Sequence, residues 1–169
     1  MRQPRFLSPS FESSASIYHC ISRVVDRQFI LGAQEKDMFV KMMREYEAFC
    51  GVRVLAYCIM SNHFHLLVEV PPKKKGAAVE LSDAEFLARL KPIYSKIYYR
   101  GIEQMLEKFR KDGADAAVVE LKEKFTGRMH DLSEFMKGLK QRFTQWYNGA
   151  NGRCGTLWEG KGSDGMKGW

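Results

Sequence analysis

Long apolar runs are missing from this chain of 169 residues; none approaches the ~20 apolar residues that cross a bilayer. The start, Met1-Arg2-Gln3-Pro4-Arg5, also lacks the apolar core of a secretory signal, so the cytoplasm is the expected address. Cysteine is scarce. Cys20, Cys50, Cys58 and Cys154 lie far apart with no C-x-x-C pair, which argues against both a zinc ribbon and a disulfide frame. Free buried thiols are expected, and nothing around them suggests a nucleophile. Internal repeats and a composition shift marking a linker are absent too, so residues 1–169 are expected to form one domain around one core. Histidine is rarer than either charge class, with four in the chain, yet two of the four stand one residue apart.

Those two sit in the run Tyr57-Cys58-Ile59-Met60-Ser61-Asn62-His63-Phe64-His65-Leu66-Leu67-Val68-Glu69-Val70. It reads as an apolar strand, a polar break at Ser61-Asn62, and a second strand opening with His-x-His. Strand side chains alternate faces, so His63 and His65 project together while Phe64, Leu66, Val68 and Val70 form a buried row that pins the register. Two imidazoles so placed can grip one divalent cation; the plainer reading is a polar strand face. Glu69 shares their face and is a candidate third ligand or orienter. Imidazole with carboxylate admits Mg²⁺, Mn²⁺ or Zn²⁺.

Acidic residues number 20 against 27 Lys and Arg, giving a net charge of +7 and suiting a polyanionic partner, nucleic acid before a membrane surface. The cations cluster with rings: Lys91, Tyr94, Lys96, Tyr98, Tyr99 and Arg100 in one segment, Lys137, Lys140, Arg142, Phe143, Trp146 and Tyr147 in another. Cations for phosphate and flat rings for unstacked bases are what a single-strand binder uses, although many such rings belong to cores. Arg23, Arg142, Lys140 and the basic loop residues Lys73 and Lys74 are the candidate nucleic-acid contacts, each of which can equally be a solvated charge.

Along the chain, residues 16–24 read as a strand with Ile17, His19 and Ile21 on one face. Residues 34–50 read as a helix on the spacing of Met38, Phe39, Met42, Met43, Tyr46 and Phe49, closed by Gly51. Strands at 52–60 and 64–70 pair as a hairpin. A helix capped by Ser82 or Asp83 is expected to run to about residue 100 with a bend at Pro92, followed by helices near 102–111 and 115–125. Residues 131–148 form a last helix stopped at Asn148-Gly149. The order predicts an α+β fold of ferredoxin-like type, a split β-α-β plan with an antiparallel sheet and a helical insert over about 73–130.

Four segments carry a resemblance: Tyr18-His19-Cys20-Ile21-Ser22-Arg23, the run from Tyr57 to Leu67, Phe135-Met136-Lys137 to Trp146-Tyr147-Asn148, and Gly155-Thr156-Leu157-Trp158-Glu159-Gly160. Together they resemble the single-tyrosine HUH transposases, and within them the REP-associated tyrosine transposases, relatives of the smallest insertion-sequence enzymes. The resemblance implies Mg²⁺ or Mn²⁺ held on His63 and His65, polarising a phosphate of single-stranded or hairpin DNA. It implies attack by a tyrosine on a later helix, a phosphotyrosine intermediate, and strand cleavage and joining without ATP. In such proteins that tyrosine lies beyond the Leu-Trp-Glu-Gly segment. Here residues 161–169 contain none, and the expectation is a truncated or frame-shifted tail. Tyr147 is the substitute to consider, with packing as its expected role. Three functions follow: a DNA nicking-and-joining enzyme, a hairpin-binding remnant that does not cut, and a metal-dependent nuclease using water. A homodimer is an expected partner state, since an uncovered sheet face favours association.

Overall fold

In the computed structural model the described residues are 13–73, 78–160 and 166–168, the last three as backbone. The elements follow as β1 (Ser16–Arg23), α1 (Ala33–Cys50), β2 (Arg53–Ile59), β3 (His63–Val70), α2 (Asp83–Leu90), α3 (Lys96–Lys111), α4 (Asp115–Thr126), α5 (Leu132–Asn151) and β4 (Met166–Gly168).

The sheet is antiparallel, in the order β2-β3-β1-β4. This is the split β-α-β arrangement of the α+β, ferredoxin-like type that the sequence predicts. β1 and β3 alternate strictly, burying Tyr18, Cys20, Phe64, Leu66 and Val68 while their odd-numbered neighbours stay partly open. The buried row meets the helical layer, where Phe39 of α1 and Trp158 after α5 pack on Phe64, and Phe143 of α5 packs on both of them. The outward row, Ile17, His19, Ile21 and Arg23 on β1 with His63, His65, Leu67 and Glu69 on β3, forms the other face. No helix among the described residues is long and apolar enough to cross a membrane.

Gly51 ends α1 in the left-handed region at φ 65°, and a Cβ there would press on Arg89 and His130. Gly51→Ala is therefore expected to cost about 1–2 kcal/mol, lowering Tm by about 2–8 °C in a thermal melt. An unchanged Tm would show that this helix end relaxes freely.

Three expectations differ in detail. The helix expected over 82–100 is two: α2 ends at Leu90, and α3 begins after Ser95, whose hydroxyl accepts the Tyr98 N–H. Pro92 cannot continue the helical hydrogen bonding, and the new cap restarts it. The last helix runs through Gly149 to Asn151, because Gly152, at φ 60°, supplies the left-handed stop that Gly149 does not. Cys20 and Cys50 are buried, and burial pushes the Cys50 thiol up to about 12; Cys58 and Cys154 are instead exposed. Cys58 lies on an edge strand and pairs with His65, which turns it to the open face.

Candidate functional site

The hairpin joining β2 to β3 is closed by Met60 N–H donating to the His63 carbonyl at 2.8 Å. Both carbonyls of its turn are taken by the segment that follows β1: Val24 N–H donates to Asn62 O (2.8 Å) and Leu31 N–H to Ser61 O (2.9 Å). That segment carries Asp26 and Arg27 at φ 56° and 54°, left-handed conformations that non-glycine residues adopt at a cost. From the other side, Val25 N–H reaches Leu157 O and Glu159 N–H reaches Arg23 O, so the Leu-Trp-Glu-Gly segment clamps the end of β1. The start of β3 is thus held on a rigid backbone frame.

On this frame His63 has a defined tautomer. Asn62 Nδ2 donates to the Arg27 carbonyl at 3.1 Å, which orients the amide. Asn62 Oδ1 can then only accept, so the 2.7 Å contact with His63 Nδ1 is an imidazole N–H donating to it. In the neutral ring that leaves the lone pair on Nε2. His65 lies next along the same face, its ring centroid 5.2 Å from that of His63. Two imidazoles sharing one cation through nitrogen, with bonds of about 2.1 Å, hold their centroids roughly 4.6–5.3 Å apart, a range that contains this spacing. The two imidazoles offer nitrogen, which suits Mn²⁺ or Zn²⁺ well and Mg²⁺ with added oxygen ligands, while the Cys58 thiol opposite His65 contacts the Met60 sulfur at 3.6 Å. Among the described residues no group of three or more His, Cys, Asp or Glu is arranged as a complete metal cage.

The third histidine of the cluster comes from β1. His19 Nε2 and His65 Nδ1 are hydrogen-bonded at 3.0 Å, with the rings stacked at 17°. Partial burial first, and then the neighbouring His63, His19 and Arg23, push the His65 pKa below the ordinary imidazole value, favouring the neutral ring that a metal requires. His19 and His65 are 46 residues apart, and only the β1–β3 register brings them together.

The other residues singled out in the sequence fall in two groups. Arg23 pairs with His63 across β1 and β3 and stands on the histidine face. Glu69 shares the face but lies at the far end of β3, opposite Ile17 and Arg53, and its carboxylate bonds Arg53 at 2.8 Å. It does not join the histidines. Lys140, on α5, donates to the buried Ser22 and so lies on the helical side of the sheet. Arg142 donates to the carbonyls of Pro92 and Ile93 and pairs with Glu45, tying α5 to α1 and the turn before α3. Lys73 donates to the carbonyls of Gly127 and Met129, and burial lowers its pKa. Lys74 lies outside the described residues. Tyr147 is 8% exposed and packs on Phe143 with Arg153 over its ring, an arrangement of core packing.

A cleft of about 330 Å³ lined by Tyr46, Phe49, Tyr94, Arg128 and Arg142 lies in the helical layer, away from the histidines. Its cations are already engaged, Arg128 by the Tyr94 hydroxyl at 2.7 Å and Arg142 by the backbone. The histidine face, with a fixed tautomer and open imidazole nitrogens, is the stronger candidate.

Two residues stand near the site without having been site candidates in the sequence. His19 lies on the outward face of the first strand, within one of the segments that carry the resemblance, but the sequence gives it no partner. Phe29, 82% exposed, sits two residues after Arg27, whose carbonyl holds Asn62.

The sequence model of the family described as "Transposase IS200 like" matches residues 12–114, more than half of the chain. No curated protein matches. Among solved structures, a REP-associated tyrosine transposase bound to a REP hairpin shares the fold at a TM-score of 0.53 with 9% identity. The match covers all of this chain, which spans 62% of that one. A proposed transposase from Deinococcus radiodurans R1 aligns at 21% identity over 54% of this chain and 61% of the other, with a TM-score of 0.32, too slight to bear on the fold.

Proposed function

The chain belongs to the IS200-like transposase family, and from that premise we propose that it binds single-stranded or hairpin DNA on the histidine face, seating a phosphate at a divalent cation held by His63 and His65. The observation that carries this reading is the pair of imidazoles at 5.2 Å, one with its tautomer fixed by Asn62, beside Arg23 on one open sheet face. Bound there, Mg²⁺ or Mn²⁺ would polarise a phosphate ester as a Lewis acid. The chain itself supplies the rest. Asn62 and the Arg27 carbonyl keep His63 oriented, and Arg23 offers a fork of donors to phosphate oxygens. Phe29 offers a flat ring to an unpaired base.

Strand cleavage through phosphotyrosine needs a tyrosine at the cation. Tyr18 is in the buried row, Tyr57 pairs with Leu66 of that row beneath the Arg44 guanidinium, and Tyr46, Tyr94, Tyr98, Tyr99 and Tyr147 belong to the helical layer and its turns. These 169 residues are therefore expected to bind and not to form the adduct by themselves. Incubation with labelled hairpin DNA and Mn²⁺ tests this on paired gels. The expected result is a shifted band under native conditions and free, intact DNA under denaturing ones. A covalent band that survives denaturation would restore a tyrosine nucleophile to this chain, and cut DNA without an adduct would point to water.

Phe29→Ala is expected to weaken binding of a hairpin with an unpaired flank by about 5- to 150-fold, the loss of one base–aromatic stack worth about 1–3 kcal/mol. Phe29→Trp should keep it. Fluorescence anisotropy titration measures both, and an alanine variant within twofold of wild type would remove Phe29 from the interface.

A further inference from the structure

We propose that His19 is a positioning residue for the cation site: its Nε2 accepts the Nδ1–H of His65, leaving the His65 Nε2 lone pair for the cation shared with His63. The inference rests on the metal reading above and adds to it a role for a residue outside the His-x-His pair.

The geometry leaves two ways to share the proton in the 3.0 Å contact. If His19 donates, a neutral His65 carries its proton on Nε2, and that nitrogen has no lone pair to give a metal. If His65 donates, its Nε2 is open, as that of His63 is. The site then has one logic on both imidazoles. Asn62 Oδ1 accepts from His63 Nδ1, His19 Nε2 accepts from His65 Nδ1, and both Nε2 atoms are available. Outer partners of this kind fix the tautomer and orientation of ligating histidines. The stacked rings, at 5.2 Å and 17°, limit the rotation of His65 about its side-chain bonds. With its Nε2 committed to His65, His19 cannot also reach the cation through that nitrogen. The placement follows from the sheet: β1 pairs Ile21 with His65, so His19 lies on the same face one alternation further along and meets the ring diagonally.

The experiment uses the full chain and two readouts. Two-bond ¹H–¹⁵N spectra of the metal-free protein report the imidazole tautomers directly. Wild type is expected to show His65 protonated at Nδ1, and His19→Phe, which keeps a flat ring but has no acceptor, is expected to return His65 to the Nε2–H form. A wild-type His65 protonated at Nε2 overturns the proposal. Mn²⁺ titration followed by electron paramagnetic resonance supplies the second readout. His19→Phe should bind about 10- to 100-fold more weakly than wild type, while His19→Gln, whose amide oxygen takes the place of Nε2, should stay within a few fold. The glutamine rescue separates loss of an acceptor from loss of folding. Equal affinity in wild type and His19→Phe overturns this inference alone, whereas a wild type that takes up no Mn²⁺ overturns it together with the metal reading.

Discussion

His63→Ala is expected to lose Mn²⁺ binding by more than about 100-fold, since even the outer partners of a metal-binding histidine are worth about 10- to 100-fold each. The variant removes one of two imidazoles on a face where no third side chain completes a cage among the described residues. Stability should hardly change, because the ring is only partly buried and its neighbours on β3 keep the core contacts. Hairpin DNA binding should fall by less than metal binding, since Arg23 and Phe29 remain. Isothermal titration with Mn²⁺ and anisotropy with hairpin DNA measure the two losses separately. A variant that binds Mn²⁺ as wild type does would take the cation away from this face.

Phe64→Ala, one residue along, should behave in the opposite way. Its ring is fully buried, 4.6 Å from Phe39 and 5.2 Å from Trp158 between centroids. Truncation leaves a cavity between a helix-borne and a loop-borne aromatic that cannot both close in, at a cost of about 3–5 kcal/mol. For a chain of this size that is roughly 6–20 °C in Tm. Thermal melts followed by circular dichroism read the loss, and a shift of only a degree or two would mean that the cluster repacks. Because Phe64 anchors the strand that carries both histidines, metal affinity should fall too, but only near the melting transition. The contrast with His63→Ala separates the two faces of one strand.

Much of this was legible beforehand because it depends on local periodicity. Strict alternation in residues 63–70 assigned Phe64 to the core and His63 and His65 to the open face, and the structure places them there. The stripe Phe39, Met42, Met43 and Phe49 marked α1, with Gly51 at its end. Glu69 was misjudged for a reason the same alternation contains. Sharing a face is not sharing a site, and five residues of extended strand lie between it and His63 while Arg53 claims its carboxylate. The basic residues were harder still, since charge on a sequence carries no direction. Arg142, Lys140 and Lys73 spend their donors on backbone carbonyls and a buried serine. Arg23 is the member of that set that strand pairing brings beside the histidines.

The sequence by itself determined the first three strands, the helices α1 and α5 apart from their exact ends, the split β-α-β order, the His-x-His face and the family motifs, because each is written in spacings of a few residues that backbone geometry converts directly into sides of a strand or helix. The tertiary structure decided the composition of the site. His19 reaches His65 across 46 residues through strand register, Asn62 finds the Arg27 carbonyl through a strained turn, and Tyr147 turns into the core on the packing of α5. Those contacts depend on how distant segments meet. Pairing and packing energies summed over the whole chain set that meeting, and no local pattern contains it.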